Sequence, residues 1–205
     1  MPPLAIDHAV LAVRDLERAA RAFTALGFTL TPLGVHSIGS RNHCIMLGAA
    51  YVELLQPSGT HPWLEHYRCV LEKTGDGLAA LALRTPDAEA SYRDLLAQGV
   101  AVKPPMDLAR PITLDGEERI ARFRIVQLAP EVFLCQHCTP ELVWRSEWQK
   151  HRNSAAELAS VDFPGASPFA RAPAGVRWRS SAALHVSGLL RRAVVHLHGV
   201  ALVAA

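Results

Sequence analysis

The sequence predicts an α+β chain. Two tandem βαβββ modules form one cup-shaped mixed sheet around a cleft, and a C-terminal extension follows. Three observations predict this. Short apolar runs alternate with amphipathic helical stretches. The first strand–helix unit returns at a constant offset. The texture of the chain changes after about residue 150. The modules fall at 5–58 and 77–150, with a connecting helix or linker at 59–76 and the extension at 151–205.

Residues 6–13, IDHAVLAV, read as an apolar strand. DLERAARAFTALGF (15–28) follows, with apolar residues at 16, 19, 20, 23 and 26, the stripe of a helix. Asp15 is placed to cap that helix and Gly27 to end it. TLTPLGVHSIGS (29–40) is interrupted by Pro32, Gly34 and Gly39, so it predicts a short strand and a loop. NHCIMLG and YVELLQP predict two strands joined by a turn at Gly48. THPWLEHYRCVLEK (60–73) predicts the connecting helix.

GLAALALRT (77–85) then predicts a strand and PDAEASYRDLLAQGV a helix that starts at Asp87 and ends at Gly99. VAVKPP predicts a short strand halted by its prolines. PITLDGEERIARFRIVQL carries an Asp-Gly hairpin signal at 115–116, and VFLCQH (132–137) is the last strand. Asp15 and Asp87, and likewise Gly27 and Gly99, are 72 residues apart (87 − 15 and 99 − 27). One curved sheet with one helix cannot close its own core, whereas two copies side by side can, and they leave a cleft between them. In the extension HRNSAAELASVDF predicts one more strand, and FPGASPFARAPAGVRWRSS predicts a linker. Residues 165–205 are expected to be poorly ordered or exchanged with a partner.

The 205 residues are half apolar and one-fifth charged, with a formal charge of +2. That balance lacks the basic footprint of a nucleic-acid binder. No apolar run reaches membrane-spanning length, the longest candidate being AVVHLHGVALVAA at 193–205. The N-terminus MPPLAIDHAVL has no secretory pattern, and the four cysteines are irregularly spaced, so a reduced, cytoplasmic protein is expected. Walker, dinucleotide and G-x-S-x-G motifs are absent.

His8 and Glu53 are the first candidate site residues. Strand alternation puts His8 on the face of Ile6, Val10 and Ala12, and Glu53 on the face of Tyr51 and Leu55. A carboxylate in such a run is costly to bury unless a positive or hydrogen-bonding group meets it. Protonated His8, a metal, a guanidinium or a ligand hydroxyl would each do so. The structural alternative is a hydrogen-bonded histidine lining a pocket. In HSIGSRNH the polar groups His36, Arg41, Asn42 and His43 suit a carboxylate or carbonyl, although a solvated loop is the plainer reading. The C-x-x-C of CQHCTPELVW lacks the second cysteine pair of a structural zinc site. Trp144 and Trp148 are spaced for one helical face, packing against the sheet or a partner subunit.

The opening IDHAVLAVRDLERAARAFTALGF, with YVELL following 45 residues after the histidine (53 − 8), resembles the vicinal oxygen chelate superfamily. HSIGSRN (36–42) matches the H-x-x-G-x-x-N pattern of its glyoxalase-like branch, and CQHCTPELVW (135–144) is branch-like. The resemblance covers roughly residues 5–150 and implies the glyoxalase/bleomycin-resistance type of cup. It implies one metal ligand from the first and one from the last strand of each module. The first module offers His8 and Glu53. The second offers Ala80, which cannot ligate, and then Cys135, Gln136 or His137. The implied metal set is His8, Glu53 and His137, holding zinc, iron, manganese or nickel; a metal-free site is the alternative. Glu53 and His36 are the implied catalytic groups, and Asn42, Arg41, Gln136 and Trp144 the implied substrate contacts. The expected function is a glyoxalase-like enzyme, an isomerase, lyase or hydrolase acting on a small oxygenated compound, possible as a homodimer. The competing expectation is a non-catalytic protein that sequesters a small ligand.

Overall fold

Strands β1 (Ile6–Ala12) and β5 (Gly77–Arg84) lie antiparallel at the middle of an eight-stranded sheet. Their register pairs His8 with Ala82, Ala9 with Leu81 and Val10 with Ala80. Residues 80, 81 and 82 lie 72 beyond 8, 9 and 10, so the sequence repeat is a local two-fold axis through the Ala9–Leu81 pair. The computed structural model describes residues 4–165, 169, 172–189 and 195–205.

The first module continues through α1 (Leu16–Ala25), β2 (Gly34–Val35), β3 (Arg41–Leu47) and β4 (Ala50–Gln56). After α2 (Glu65–Thr74), the second module adds α3 (Ala88–Ala97), β6 (Met106–Leu114), β7 (Glu117–Ala129) and β8 (Val132–His137) to β5. The sheet order is β2-β3-β4-β1-β5-β8-β7-β6. Asp15 and Asp87 cap α1 and α3 by accepting from the Arg18 and Ala90 backbone N–H groups. Asp115 and Gly116 both have positive φ, 53° and 81°, as a two-residue hairpin requires.

The sheet curls until its edges meet. The Ser37 N–H, just after β2, donates to the Ala109 carbonyl of β6 at 2.8 Å. Because both faces are covered, β1 is buried at every position. Val10 and Ala12 face the concave core with Tyr51, Tyr67 and Phe133. Ala9, Leu11 and Val13 face the convex core, against Phe23 of α1 and Leu95 of α3.

Two expectations need correction. Residues 100–105 form no strand; Pro104 and Pro105 lack donors, and pairing starts at Met106. Pro111 is tolerated within β6 because that strand ends the sheet order. Trp144 and Trp148 do not share a helix. They belong to a stretch with two short 3₁₀ turns, Pro140–Leu142 and Ser146–Gln149, and Trp148 is buried in the concave core of its own chain.

The extension builds a second sheet from β9 (Glu157–Pro164), β10 (Val176–Arg179), β11 (Ala183–Ser187), β12 (Val195–Leu197) and β13 (Val200–Ala204). Its order is β10-β9-β11-β13-β12. Val161, Phe163, Leu184 and Leu202 join the convex core of the first sheet, so the extension covers that face. The expected linker therefore carries β10. Residues 166–168, 170–171 and 190–194 of the region expected to be poorly ordered lie outside the described residues. The turn at His198 and Gly199 (φ 45° and 72°) abuts the Asp76 main chain so closely that a Cβ at 199 would collide with the Asp76 carbonyl. His198 also bonds Asp76 through its side chain at 2.7 Å. Among the described residues, no helix is long and apolar enough to cross a membrane.

Candidate functional site

The inside of the curl holds a cavity of about 50 Å³, walled by Tyr51, Trp63, Tyr67, Phe123 and Phe133. His8, His36, Asn42, Glu53, Cys135 and Arg110 supply its polar lining.

β1 and β4 bring His8 and Glu53 to one place, because they pair in parallel with Val10 opposite Glu53 and His8 opposite Tyr51. His8 Nε2 lies 3.8 Å from Glu53 Oε2. That is within ion-pair range but too long for a direct hydrogen bond. Each partner is held from behind. Asn42 Nδ2 donates to Glu53 Oε1 at 2.6 Å. His8 Nδ1 donates to Asp7 Oδ1 at 2.7 Å, and Tyr51 stacks on the imidazole at a ring separation of 4.4 Å. With Nδ1 committed as a donor, Nε2 of His8 is the atom presented to Glu53 and the cavity.

Asp7 reaches this position through a bulge. From Ile6 to His8, β1 advances two residues while β5 advances only from Leu83 to Ala82. The fully buried carboxylate then accepts from His8 Nδ1, from His137 Nε2 at 2.9 Å and from Arg84 Nε at 3.0 Å. Burial pushes its pKa up, but the hydrogen bonds from His137 and His8 outweigh burial and hold it well below the usual carboxylate range. Asp7 is thus an ionised hub.

Arg110 was not anticipated from the sequence. It comes from β6, is 3 % exposed, and its Nε has no hydrogen-bond partner among the described residues. Its Nη1 and the unpartnered Asn42 Oδ1 both crowd the spot where a Cβ on Gly34 would sit. Glycine at 34 leaves room for the guanidinium. Asp7 was missed because strand alternation assigns it to the opposite face from His8. Only a bulge, which alternation does not reveal, brings it round.

Other candidates are placed elsewhere. Arg41 points outward, binding Glu17 Oε1 at 2.7 Å and Gln56 Oε1 at 3.1 Å. Gln136 Oε1 accepts from the Ala88 N–H at the start of α3, so it serves the helix and not the cavity. His36 lines the cavity with Nδ1 3.0 Å from Ser40 Oγ. Desolvation, reinforced by Arg110 and His8 and opposed by Glu53, lowers its pKa to about 4, so its ring is neutral near pH 7. His137 and Trp144 pack together at a ring separation of 4.5 Å.

The donors only partly fit a divalent ion. The counterpart of His8 is Ala80. Glu53 lies opposite Val10, so its counterpart lies opposite Ala82, and that residue is Phe133, not Cys135, Gln136 or His137. The second hairpin is longer, which shifts the repeat offset from 72 to 80 (133 − 53). The expected trio is split as well: Glu53 lies toward Nε2 of His8, and His137 binds Asp7 on the Nδ1 side. Asp7, His8, Cys135 and His137 do form a cluster whose potential ligand atoms lie within 4.8 Å of one another. In it both imidazoles turn protons toward Asp7, Arg84 neutralises the other carboxylate oxygen, and burial raises the Cys135 thiol well above its usual pKa. A cation there has to displace those protons.

The chain is similar to several solved structures. A hypothetical protein from Staphylococcus aureus superposes with a TM-score of 0.71 at 12 % identity, covering 97 % of this chain and 98 % of that one. Streptomyces coelicolor methylmalonyl-CoA epimerase, solved with 2-nitronate-propionyl-CoA, superposes with a TM-score of 0.50 at 22 % identity, covering 66 % of this chain and 99 % of that one. At these identities the likeness shows the fold alone. No curated protein matches the chain. The model of the glyoxalase-like domain matches residues 6–178, running from β1 into β10. The chain therefore belongs to the glyoxalase-like domain family of the vicinal oxygen chelate superfamily.

Proposed function

We infer that this chain is an enzyme that moves a proton on a small oxygenated organic anion, with isomerase- or lyase-type chemistry. One observation carries the reading: His8 and Glu53 oppose each other across 3.8 Å, each fixed from behind by a buried partner, in a cavity that also holds the Arg110 guanidinium, whose Nε has no partner among the described residues. A buried charge without a partner is costly, and a substrate carboxylate removes that cost by pairing with Arg110. The acidic C–H or O–H of the substrate then lies beside the pair, within reach of both Nε2 and Oε2. Glu53, oriented by Asn42, accepts the proton. His8, oriented by Asp7 and carrying a proton on Nε2, gives that proton to the substrate oxygen, and the reverse transfers restore both groups. The aromatic walls limit water near the reacting carbon. Neutral His36 is an uncharged hydrogen-bonding neighbour, not an acid near neutral pH. All four cysteines are free, which accords with a reducing, cytoplasmic setting.

The test is solvent exchange. Small 2-oxo and 2-hydroxy carboxylates are incubated with the protein in D₂O, and loss of the α-proton signal is followed by NMR. Catalysed exchange is expected for at least one of them. Glu53→Gln, which keeps the hydrogen bond to Asn42 available, is expected to slow it about 10²-fold or more. Saturable binding with no exchange or turnover would favour sequestration instead. The apolar residues at the symmetry-related positions, Ala80 and Phe133, are what favours that second reading. Stoichiometric zinc, iron, manganese or nickel that co-purifies and is lost in Glu53→Ala would replace the metal-free reading.

A further inference from the structure

A second cavity lies on the other side of the Asp7 hub. Its volume is about 600 Å³, within the range of small-molecule sites, whereas the cup holds about 50 Å³. Ala49, Arg84, Pro86, His137, Pro140 and Trp144 line it. His137 Nδ1 and Trp144 Nε1 are both buried and have no hydrogen-bond partner among the described residues. The His137 side chain is only 6 % exposed, so its Nδ1 is met only by a group seated against that wall of the cavity. Two unmet polar atoms in one cavity wall normally need an occupant.

Their chemistry specifies that occupant. The Trp144 indole N–H can only donate, so it calls for an acceptor oxygen. His137 Nε2 donates to the ionised Asp7, which leaves Nδ1 as an acceptor that calls for a hydroxyl or N–H. The Arg84 guanidinium lies 5.0 Å from the centre of the Trp144 ring. Its Nε and Nη2 are taken by Asp7 and the Ala49 carbonyl, and Nη1 is left for an anion. The proline and indole surfaces accept an apolar body. Glu141, also on the wall, disfavours a second negative charge.

We propose that this cavity, separate from the cup, binds a hydroxycarboxylate monoanion with an apolar or aromatic body. Its carboxylate meets Arg84 and the Trp144 N–H, and its hydroxyl donates to His137 Nδ1.

Calorimetric titration of the full chain with mandelate tests this, with phenylacetate (no hydroxyl) and mandelamide (no charge) as controls. Mandelate is expected to bind one per chain, with each control about five-fold weaker or more. Trp144→Phe keeps the ring and removes the N–H, and is expected to weaken mandelate about five- to ten-fold. Ala49→Leu, at an exposed turn residue on the cavity wall, is expected to block it without touching the core. Arg110→Met, in the cup, is expected to leave mandelate binding unchanged. No saturable binding overturns the proposal. So does binding that is indifferent to Trp144→Phe and Ala49→Leu but lost in Arg110→Met, since the ligand then sits in the cup.

Discussion

The two modules share a backbone and divide the chemistry unequally. Related by the axis through Ala9 and Leu81, the pair Asp7–His8 corresponds to Ala79–Ala80, and Glu53 corresponds to Phe133. All three second-module residues are buried and apolar, and they pack the cup instead of lining it with ligands. What the second module adds is length. Its β6 spans nine residues against two in β2, and the extra reach carries Arg110 across to Gly34 and Asn42 of the first module. The first half therefore positions the His8–Glu53 pair, and the second half closes over it with the Arg110 guanidinium and the rings of Phe123 and Phe133. A duplicated fold can give up one set of ligands and still keep a polar centre, provided its other half supplies the countercharge.

The sharpest way to break this comparison is at Asp7. Asp7→Asn removes the charge that accepts from His8, His137 and Arg84, whereas its counterpart Ala79 makes no polar side-chain contact at all. Removing one member of a buried charge network costs roughly 3–5 kcal/mol. Arg84 is 39 % exposed and can turn to solvent, so about 3 kcal/mol is expected. Urea unfolding at pH 7 measures it. A loss under about 1 kcal/mol means that the hub is incidental.

The repeat was legible because caps and helix stripes are local. Asp15 with Gly27, and Asp87 with Gly99, mark helix ends whatever surrounds them. His8 and Glu53 were legible because titratable groups in apolar runs violate burial. Arg110 and Asp7 were not. Arg110 sits in MDLARPITL, where arginine on an edge strand looks solvated, and only closure of the sheet buries it. Asp7 needs the bulge. The second counterpart was misplaced because hairpin length cannot be counted from a turn signal alone: Asp115-Gly116 locates the turn of β6 and β7, but not how far the paired strands run back from it. The extension misled through composition, since its prolines and glycines flank short strands whose apolar residues find partners only on the convex face.

A smaller effect sharpens the comparison at Arg110. If the second module contributes a charge that waits for substrate, removing it should stabilise the free protein while harming binding. Arg110→Met keeps most of the volume and removes a buried cation whose Nε has no partner among the described residues. The expected gain is about 1–2 kcal/mol in urea unfolding, together with several-fold weaker binding of any carboxylate that enters the cup. A variant that is less stable than the parent shows instead that Arg110 is structural and paired in solution.

The smallest effect concerns His36, which the two halves share: it leaves β2 of the first module and meets Phe123 of the second edge-on at a ring separation of 6.2 Å. Its pKa is lowered from 6.5 to about 4, chiefly by desolvation and in part by Arg110. The unfolded chain therefore binds a proton on His36 below about pH 6.5 that the folded chain refuses until about pH 4. The stabilising contribution is complete above pH 6.5 and is lost as the pH falls toward 4. Asp7 works in a lower window: its depressed pKa gives stability that is present above the ordinary value of 3.8 and is lost as the pH falls below it. His36→Phe, which fills the same space without a titratable nitrogen, should flatten the stability curve between about pH 4 and 6.5 and leave the steeper decline below it intact. Urea midpoints at a series of pH values separate the two. An unchanged slope in the variant means that His36 is solvated when the protein is folded, and that the seam between β2 and β6 stands open.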